Sequence, residues 1–456
     1  MKTRIPLLLL ALAGAGMAAA QTPAASAATA APAPAPGARW TLDDCIGFAQ
    51  RNNTDVQKQA IQVEQSTNDL STARFSRLPD LNASVGYNAS FGRSTGDDNT
   101  YRSENLQTGS FDLSASMPLF QGLRINRTIR GEKLNLSAAV EDLDRAREDV
   151  AVNVMTLYLQ VLYNKELVGI AERQLALSTQ QADRSRSLAE AGKQPESAVY
   201  ESLALQANDA LTLTQARNDL QLALLDLSQA INRESAAGFD IVEPALDSLL
   251  DSALEPHPLS VGAVYDYAAE NRPHIRAERV RLAGYENSVR LARADLYPSL
   301  MLRGGFGTGL YSSMNMDFWP QFRKNSSEFI GLSLNVPIFN RRATRNNIRS
   351  AQLSVRRQQL TLLHAEQTLR KEIEQAWYNA EAAAAKYRSA TAALASAEVA
   401  FTYEQQKADA GRSTVFDFND AKTRMEKAAA ELAQAKYETV FRRKILDYYR
   451  GEPLTL

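Results

Sequence analysis

The chain has little of the chemistry on which most enzymes and metal proteins depend. Its 456 residues include one cysteine, Cys45, and three histidines, His257, His274 and His364. That is too few for a Cys/His zinc site or a disulfide framework. No Ser/His/Asp set, phosphate loop or spaced ligand cluster occurs, so neither an enzymatic activity nor a cofactor is expected. Neither sign of charge is in surplus: 51 Lys and Arg against 52 Asp and Glu give a formal charge of −1. Without excess basic charge there is no electrostatic case for a nucleic-acid partner. Beyond the N-terminal segment there is also no apolar run of the ~20 residues that a membrane-spanning helix needs.

The N-terminus supplies the first positive signal. Lys2 and Arg4, the apolar stretch Ile5 to Leu12, and Ala18-Ala19-Ala20 ahead of Gln21 read as a secretory signal over residues 1–20. The plain alternative, an uncleaved anchor, meets an apolar stretch too short to span. Residues 21–38, almost wholly Ala, Pro and Thr, read as a disordered leader. An exported chain without a spanning helix is either soluble or a β-barrel.

Self-comparison then shows a tandem repeat offset by 219 residues without a gap. Asn52 matches Asn271, Pro79 matches Pro298, Met117-Pro118-Leu119-Phe120 matches Val336-Pro337-Ile338-Phe339, Tyr158 matches Trp377, and Ala191-Gly192 matches Ala410-Gly411. The first copy spans 39–232 and the second 258–451. A connection at 233–257, broken by Gly238, Pro244 and Pro256, separates them, and a short tail, 452–456, follows.

Each copy reads as an α-β-β-α-α unit. In the first copy, a helix from Leu42 to Arg77 stops ahead of Pro79. Strict alternation follows over 80–92, with Leu81, Ala83, Val85, Tyr87, Ala89 and Phe91 on one face, and again over 108–118. A period of two marks strands. The second copy repeats them over 299–311 and 328–337, with Phe306 and Phe329 assigned to the apolar face. From about Leu123 to Glu190 there is no Pro, and apolar residues three and four apart predict one helix ~100 Å long. After the turn at Gly192 and Pro195 another helix runs to Asn232. The second copy predicts the same from Arg342 to Asp409 and, past Gly411, to Arg450.

The strands are about 10 to 13 residues of alternating character, close to the length of a tilted transmembrane β-strand. One chain carries only four, too few to close around a lumen, and lipid does not tolerate an open edge. Two chains would supply 8 strands and three would supply 12. Soluble hairpins capping a secreted coiled coil are the competing arrangement, which leaves the apolar face without a partner.

These features together resemble the TolC family of outer-membrane efflux and secretion ducts. The signatures are Ala49 to Asn53 and Ala268 to Pro273 in the opening helices, the strand exits Met117-Pro-Leu-Phe and Val336-Pro-Ile-Phe, and the tip Ala410-Gly411-Arg-Ser-Thr-Val-Phe-Asp417-Phe-Asn-Asp420-Ala. The resemblance implies a mainly α fold with a β-barrel part. Three chains would form a 12-stranded barrel in the outer membrane of a Gram-negative bacterium, continuing into a 12-helix periplasmic α-barrel. It implies a passive homotrimeric duct embedded in outer-membrane lipid, which takes substrate from an inner-membrane transporter through a periplasmic adaptor. The alternative is a secreted structural coiled-coil or envelope spacer.

By the same resemblance, the tips at Gly192, Lys193, Gly411 and Arg412 would touch the adaptor. Asp417 and Asp420 would ring the tunnel entrance in acid. The first copy has Ala198 and Glu201 at the equivalent positions, so only Glu201 would join them. Asp417 has a plainer reading as an acid favoured at a helix N-terminus, and the glycines as left-handed helix stops. Lys193, Glu196 and Arg412 are available for pairing between neighbouring helices. Pro118 and Pro337 are expected to end the strand ladders and set the bend into the long helices. Met314 and Met316 recur like soft metal ligands, but a hairpin loop is the better reading. The substrate, whether drug, metal ion, peptide or protein, is not encoded in any motif.

Overall fold

The computed structural model describes residues 39–95, 100–103, 106–255, 260–312, 314, 316–410 and 412–456. The signal and leader segments and Gly411 lie outside these. One compact unit comprises residues 65–136 and 281–358, and the other comprises 39–64, 137–280 and 359–456. The helices are α1 (Leu42–Asn52), α2 (Thr54–Phe75), α3 (Arg124–Glu190), α4 (Glu196–Ala230), α5 (Asp247–Leu254), α6 (Val261–Asn271), α7 (Pro273–Ala294), α8 (Phe318–Lys324), α9 (Ala343–Asp409) and α10 (Val415–Tyr449). The strands are β1 (Asp80–Ser90), β2 (Arg93–Thr95), β3 (Tyr101–Ser103), β4 (Leu106–Gln121), β5 (Ser299–Tyr311) and β6 (Ser327–Asn335). The 219-residue offset carries α1 onto α6, α2 onto α7, α3 onto α9 and α4 onto α10.

Each opening helix is broken where the sequence suggested continuity. A capping box at Thr41 and Asp44 starts α1. Asn53 is extended and ends it, and its Oδ1 accepts a hydrogen bond from the Asp55 N–H at 2.8 Å, capping α2. The equivalent residue, Arg272, is extended too, because Pro273 follows it and takes the first position of α7. The signature residues are the break itself.

In the helical unit the core gathers around α1, α3 and α4. Trp40 forms an isolated parallel bridge with Ile241, and the Tyr158 hydroxyl donates to the Val242 carbonyl at 2.6 Å. Met155, Leu162, Leu227 and Ile231 fill the space around them. A second cluster joins Val264, Ala268 and Ile275 to Leu369 and Ile373. Among the described residues no helix is long and apolar enough to cross a membrane.

The other unit contains a four-stranded antiparallel sheet in the order β1-β4-β5-β6, so β4 and β5 join the two repeats. Residues directly opposite one another share a face. The register therefore puts Leu81, Val85, Tyr87, Phe111, Leu113, Leu302, Phe306, Ile330, Leu332 and Leu334 on one side. Asn82, Ser84, Ser110, Asp112, Ser114, Arg303 and Ser333 occupy the other. Phe329 is a correction: it pairs with Gly305 and lies on the polar side, its ring over a glycine that leaves room for it.

Pro118 does not end its ladder. β4 passes through it with a register shift between Pro118 and Phe120 and stops at Gln121. The corner into the long helix is made by Gly122 and Leu123, both at positive φ (59° and 66°). Arg341 and Arg342 (52° and 65°) make the same corner in the second copy, after β6 has already ended ahead of Pro337. The β2–β3 ribbon and the short helix α8 are further elements in stretches read as loop.

Candidate functional site

The acids singled out from the sequence, and the tip residues among the described ones, lie at the two helix-to-helix turns of the helical unit. α3 ends in a Schellman motif: the Lys193 N–H donates to the Leu188 carbonyl at 2.8 Å and the Gly192 N–H to that of Ala189 at 2.9 Å, with Gly192 at φ +67°. At the end of α9 the Arg412 N–H donates to the Lys407 carbonyl at 2.8 Å, the same six-residue closure. The chain re-enters a helix at Pro195 in one tip and at Thr414 in the other.

Asp417 is part of that re-entry. Its N–H donates to Thr414 Oγ1 at 3.1 Å, and its carboxylate accepts from the Thr414 hydroxyl at 2.7 Å. Asp420 lies one turn on and pairs with Arg424 at 2.9 Å. Both acids are exposed, as is Glu201 in α4, and the i, i+3 spacing puts Asp417 and Asp420 on one flank of α10. Ala198, equivalent to Asp417, is buried. Gly192, Lys193, Glu196 and Arg412 are exposed, and the three charged ones make no ion pair among the described residues. Phe416 and Tyr200, next in sequence to Asp417 and Glu201, are largely exposed aromatics.

The contacts that hold the tips are ones the sequence did not single out. Arg184 pairs with Asp409 and also donates to the Ala408 carbonyl at 3.2 Å, tying the end of α3 to the end of α9. Glu404 accepts from the Ser413 hydroxyl and pairs with Lys407 at 2.9 Å. These hydrogen bonds, Ser413 first, hold the Glu404 carboxyl below its usual range, and Glu404 in turn raises Lys407. Phe401 and Phe418 meet at 5.4 Å between ring centroids, fastening α10 to α9.

Farther along α10, Lys422 is completely buried, with Nζ 2.5 Å from Asp209 of α4 and 3.3 Å from Glu426. Burial raises the Glu426 carboxyl, and the Lys422 charge partly offsets the rise. The Lys422–Glu426 spacing of four was legible in the sequence; the third member, Asp209, depends on packing. No group of three or more His, Cys, Asp or Glu placed to hold a metal occurs among the described residues. Met314 accepts a hydrogen bond from Asn325 and the Met316 carbonyl one from Gln321, so both serve the loop.

The described geometry offers no catalytic constellation. It offers instead a sheet with one apolar face and two unpaired edges, β1 and β6, and in the other unit long helices that turn at acidic, aromatic tips. A family model described as outer membrane efflux protein matches residues 46–233 and 264–447, once for each repeat. Outer membrane efflux protein BepC of Brucella suis is 22% identical over 403 residues, covering 88% of this chain and 83% of that protein. Pyoverdine export outer membrane protein OpmQ of Pseudomonas putida is 30% identical over 353 residues, covering 72% and 67%. The CmeC outer membrane channel of Campylobacter jejuni shares the fold, with a TM-score of 0.76 at 18% identity over 91% of this chain and 87% of that one. The chain therefore belongs to the outer membrane efflux protein family, the TolC-like ducts that its duplicated signatures resemble.

Proposed function

We propose that three copies of this chain close a 12-stranded barrel in the outer membrane and continue as a helical tunnel, forming the passive duct of a tripartite efflux or secretion system. The observation that carries this is the sheet. Among the described residues its β1 and β6 edges have no partner strand, and its apolar face leaves Leu81, Val85, Tyr87, Ile330, Leu332 and Leu334 exposed in a single chain. Unpaired edges on an apolar sheet are stable in lipid only when other copies complete the ladder. The far ends of the helices then serve as the docking end. Gly192, Lys193, Gly411 and Arg412, with the neighbouring exposed Phe416 and Tyr200, suit a protein partner, assigned here as the periplasmic adaptor of an inner-membrane transporter. Threefold repetition of Asp417, Asp420 and Glu201 near those tips would focus negative potential at the entrance and favour cations. A duct of this kind needs no catalytic residue.

Electrophoresis of detergent-extracted outer membranes tests the reading. A band that migrates as an oligomer unheated and as a single chain after boiling is expected. Recovery of the protein in the soluble periplasmic fraction without detergent would refute it.

A further inference from the structure

The short helix α8 lies on the apolar face of the sheet. Phe111 stands opposite Thr308 and Leu113 opposite Phe306, so these four share that face. The Phe322 ring sits 5.8 Å from Phe111 and 6.1 Å from Phe306, and Phe318 stacks on Phe322 at 6.0 Å. Polar bonds fix the helix to the last residues of β5. The Thr308 hydroxyl donates to the Phe322 carbonyl at 2.8 Å, the Tyr311 N–H to Gln321 Oε1 at 2.8 Å, and Asn325 Nδ2 to the Gly309 carbonyl at 2.6 Å. Thr308 and Leu310 are buried beneath it, while Ile330 on the same face is 82% exposed.

With Phe318 and Gln321 turned to the sheet, the helix presents a different surface outward. Trp319 is 69% exposed. Arg323, one helical turn on, and Lys324 are exposed and make no ion pair among the described residues. No acid lies within α8; Asp317 precedes it as its N-cap.

We infer that α8 is an interfacial anchor, holding Trp319 among the outer-leaflet headgroups while Arg323 and Lys324 bind phosphate-bearing anionic lipid. The inference rests on the barrel reading above, which turns the apolar face to lipid. The height agrees. The 13 residues of β5 rise about 33 Å at a tilt near 40°, against an apolar band of about 25 Å. Bonds to Thr308, Gly309 and Tyr311 therefore set α8 at the band's outer margin, where amphipathic aromatic rings collect and long basic side chains reach the headgroups. The charge selects anionic over zwitterionic lipid.

The test uses the full-length protein in phosphatidylcholine vesicles that contain a small, equal fraction of bromine-labelled phosphatidylglycerol or bromine-labelled phosphatidylcholine. Comparison with Trp319→Phe isolates the Trp319 fluorescence. Labelled phosphatidylglycerol should quench it about twofold more than labelled phosphatidylcholine, and Arg323→Gln with Lys324→Gln should bring the two to equality. Quenching of Trp319 by aqueous iodide but by neither lipid would overturn the anchor, as would equal quenching by both lipids before substitution. Conductance of the same preparations in a planar bilayer separates the failures. Conductance with an unquenched Trp319 overturns α8's role alone, whereas absent conductance with an unquenched Trp319 overturns the duct and the anchor together.

Discussion

Replacing Lys422 with Met should loosen α10 from α4 by an amount the geometry sets. The side chain volumes are close, so packing is largely kept. What is lost is the cation that sits 2.5 Å from Asp209 and 3.3 Å from Glu426 with almost no water contact. Removing one partner of a buried ionic group costs about 3–5 kcal/mol, because the remaining charge is left uncompensated. At the lower figure, amides of α10 around residues 418–430 that exchange through local opening should exchange roughly 150-fold faster. Hydrogen–deuterium exchange with mass spectrometry on the detergent-solubilised protein reads this directly, and Lys422→Arg, which keeps the charge, should restore most of the protection.

The pH dependence carries a definite sign. Burial already raises the Glu426 carboxyl, and losing Lys422 removes an influence that lowers it. A carboxyl raised in the folded state favours folding below its ordinary range, and that advantage disappears as pH rises through the folded value. The deficit of Lys422→Met should therefore be small near pH 4 and full near pH 8. Exchange within threefold of the parent protein at pH 8, or a deficit that grows toward acid, would refute the reasoning.

Other outcomes follow from the same structure. Asp417→Asn combined with Asp420→Asn should reduce cation over anion selectivity in a planar bilayer, and an unchanged reversal potential would remove both residues from the entrance. Gly192→Ala should cost about 1–2 kcal/mol, because only its φ of +67° resists a side chain. Gly122→Ala should cost more, since its Cβ would fall 2.6 Å from the Ala294 carbonyl oxygen; urea midpoints of the two variants compare them. Cys45 is buried and its thiol is pushed up to about 12 by that burial and by Asp44. It should resist maleimide at pH 7.5 until denaturant is added, and rapid native labelling would contradict its placement.

Much of the architecture was legible because the signals were long. The stripe of apolar residues between Arg124 and Glu190, uninterrupted by Pro, permits only a helix, and the duplication supplies an independent copy of it. What stayed hidden was local or tertiary. Arg341 and Arg342 turn the corner at positive φ without a glycine to announce it, while Pro118, which looked like the stop, is absorbed by a bulge. Phe329 and Ile330 are adjacent and both apolar, so only the pairing with Gly305 and Gly304 decides which one faces the apolar side. α8 is too short for a periodic signal, and its place over Phe111 and Phe306 depends on residues distant in sequence. At the tips, the Asp420–Arg424 and Lys407–Glu404 spacings could be seen, but the Arg184–Asp409 tie between α3 and α9 could not.

The central claim is that four strands per chain close only as a complete barrel. Native mass spectrometry of the protein extracted from outer membranes in mild detergent tests it most directly. A dominant species of three chains is expected, matching a 12-stranded ladder. A dominant monomer or a dimer under the same extraction would contradict it.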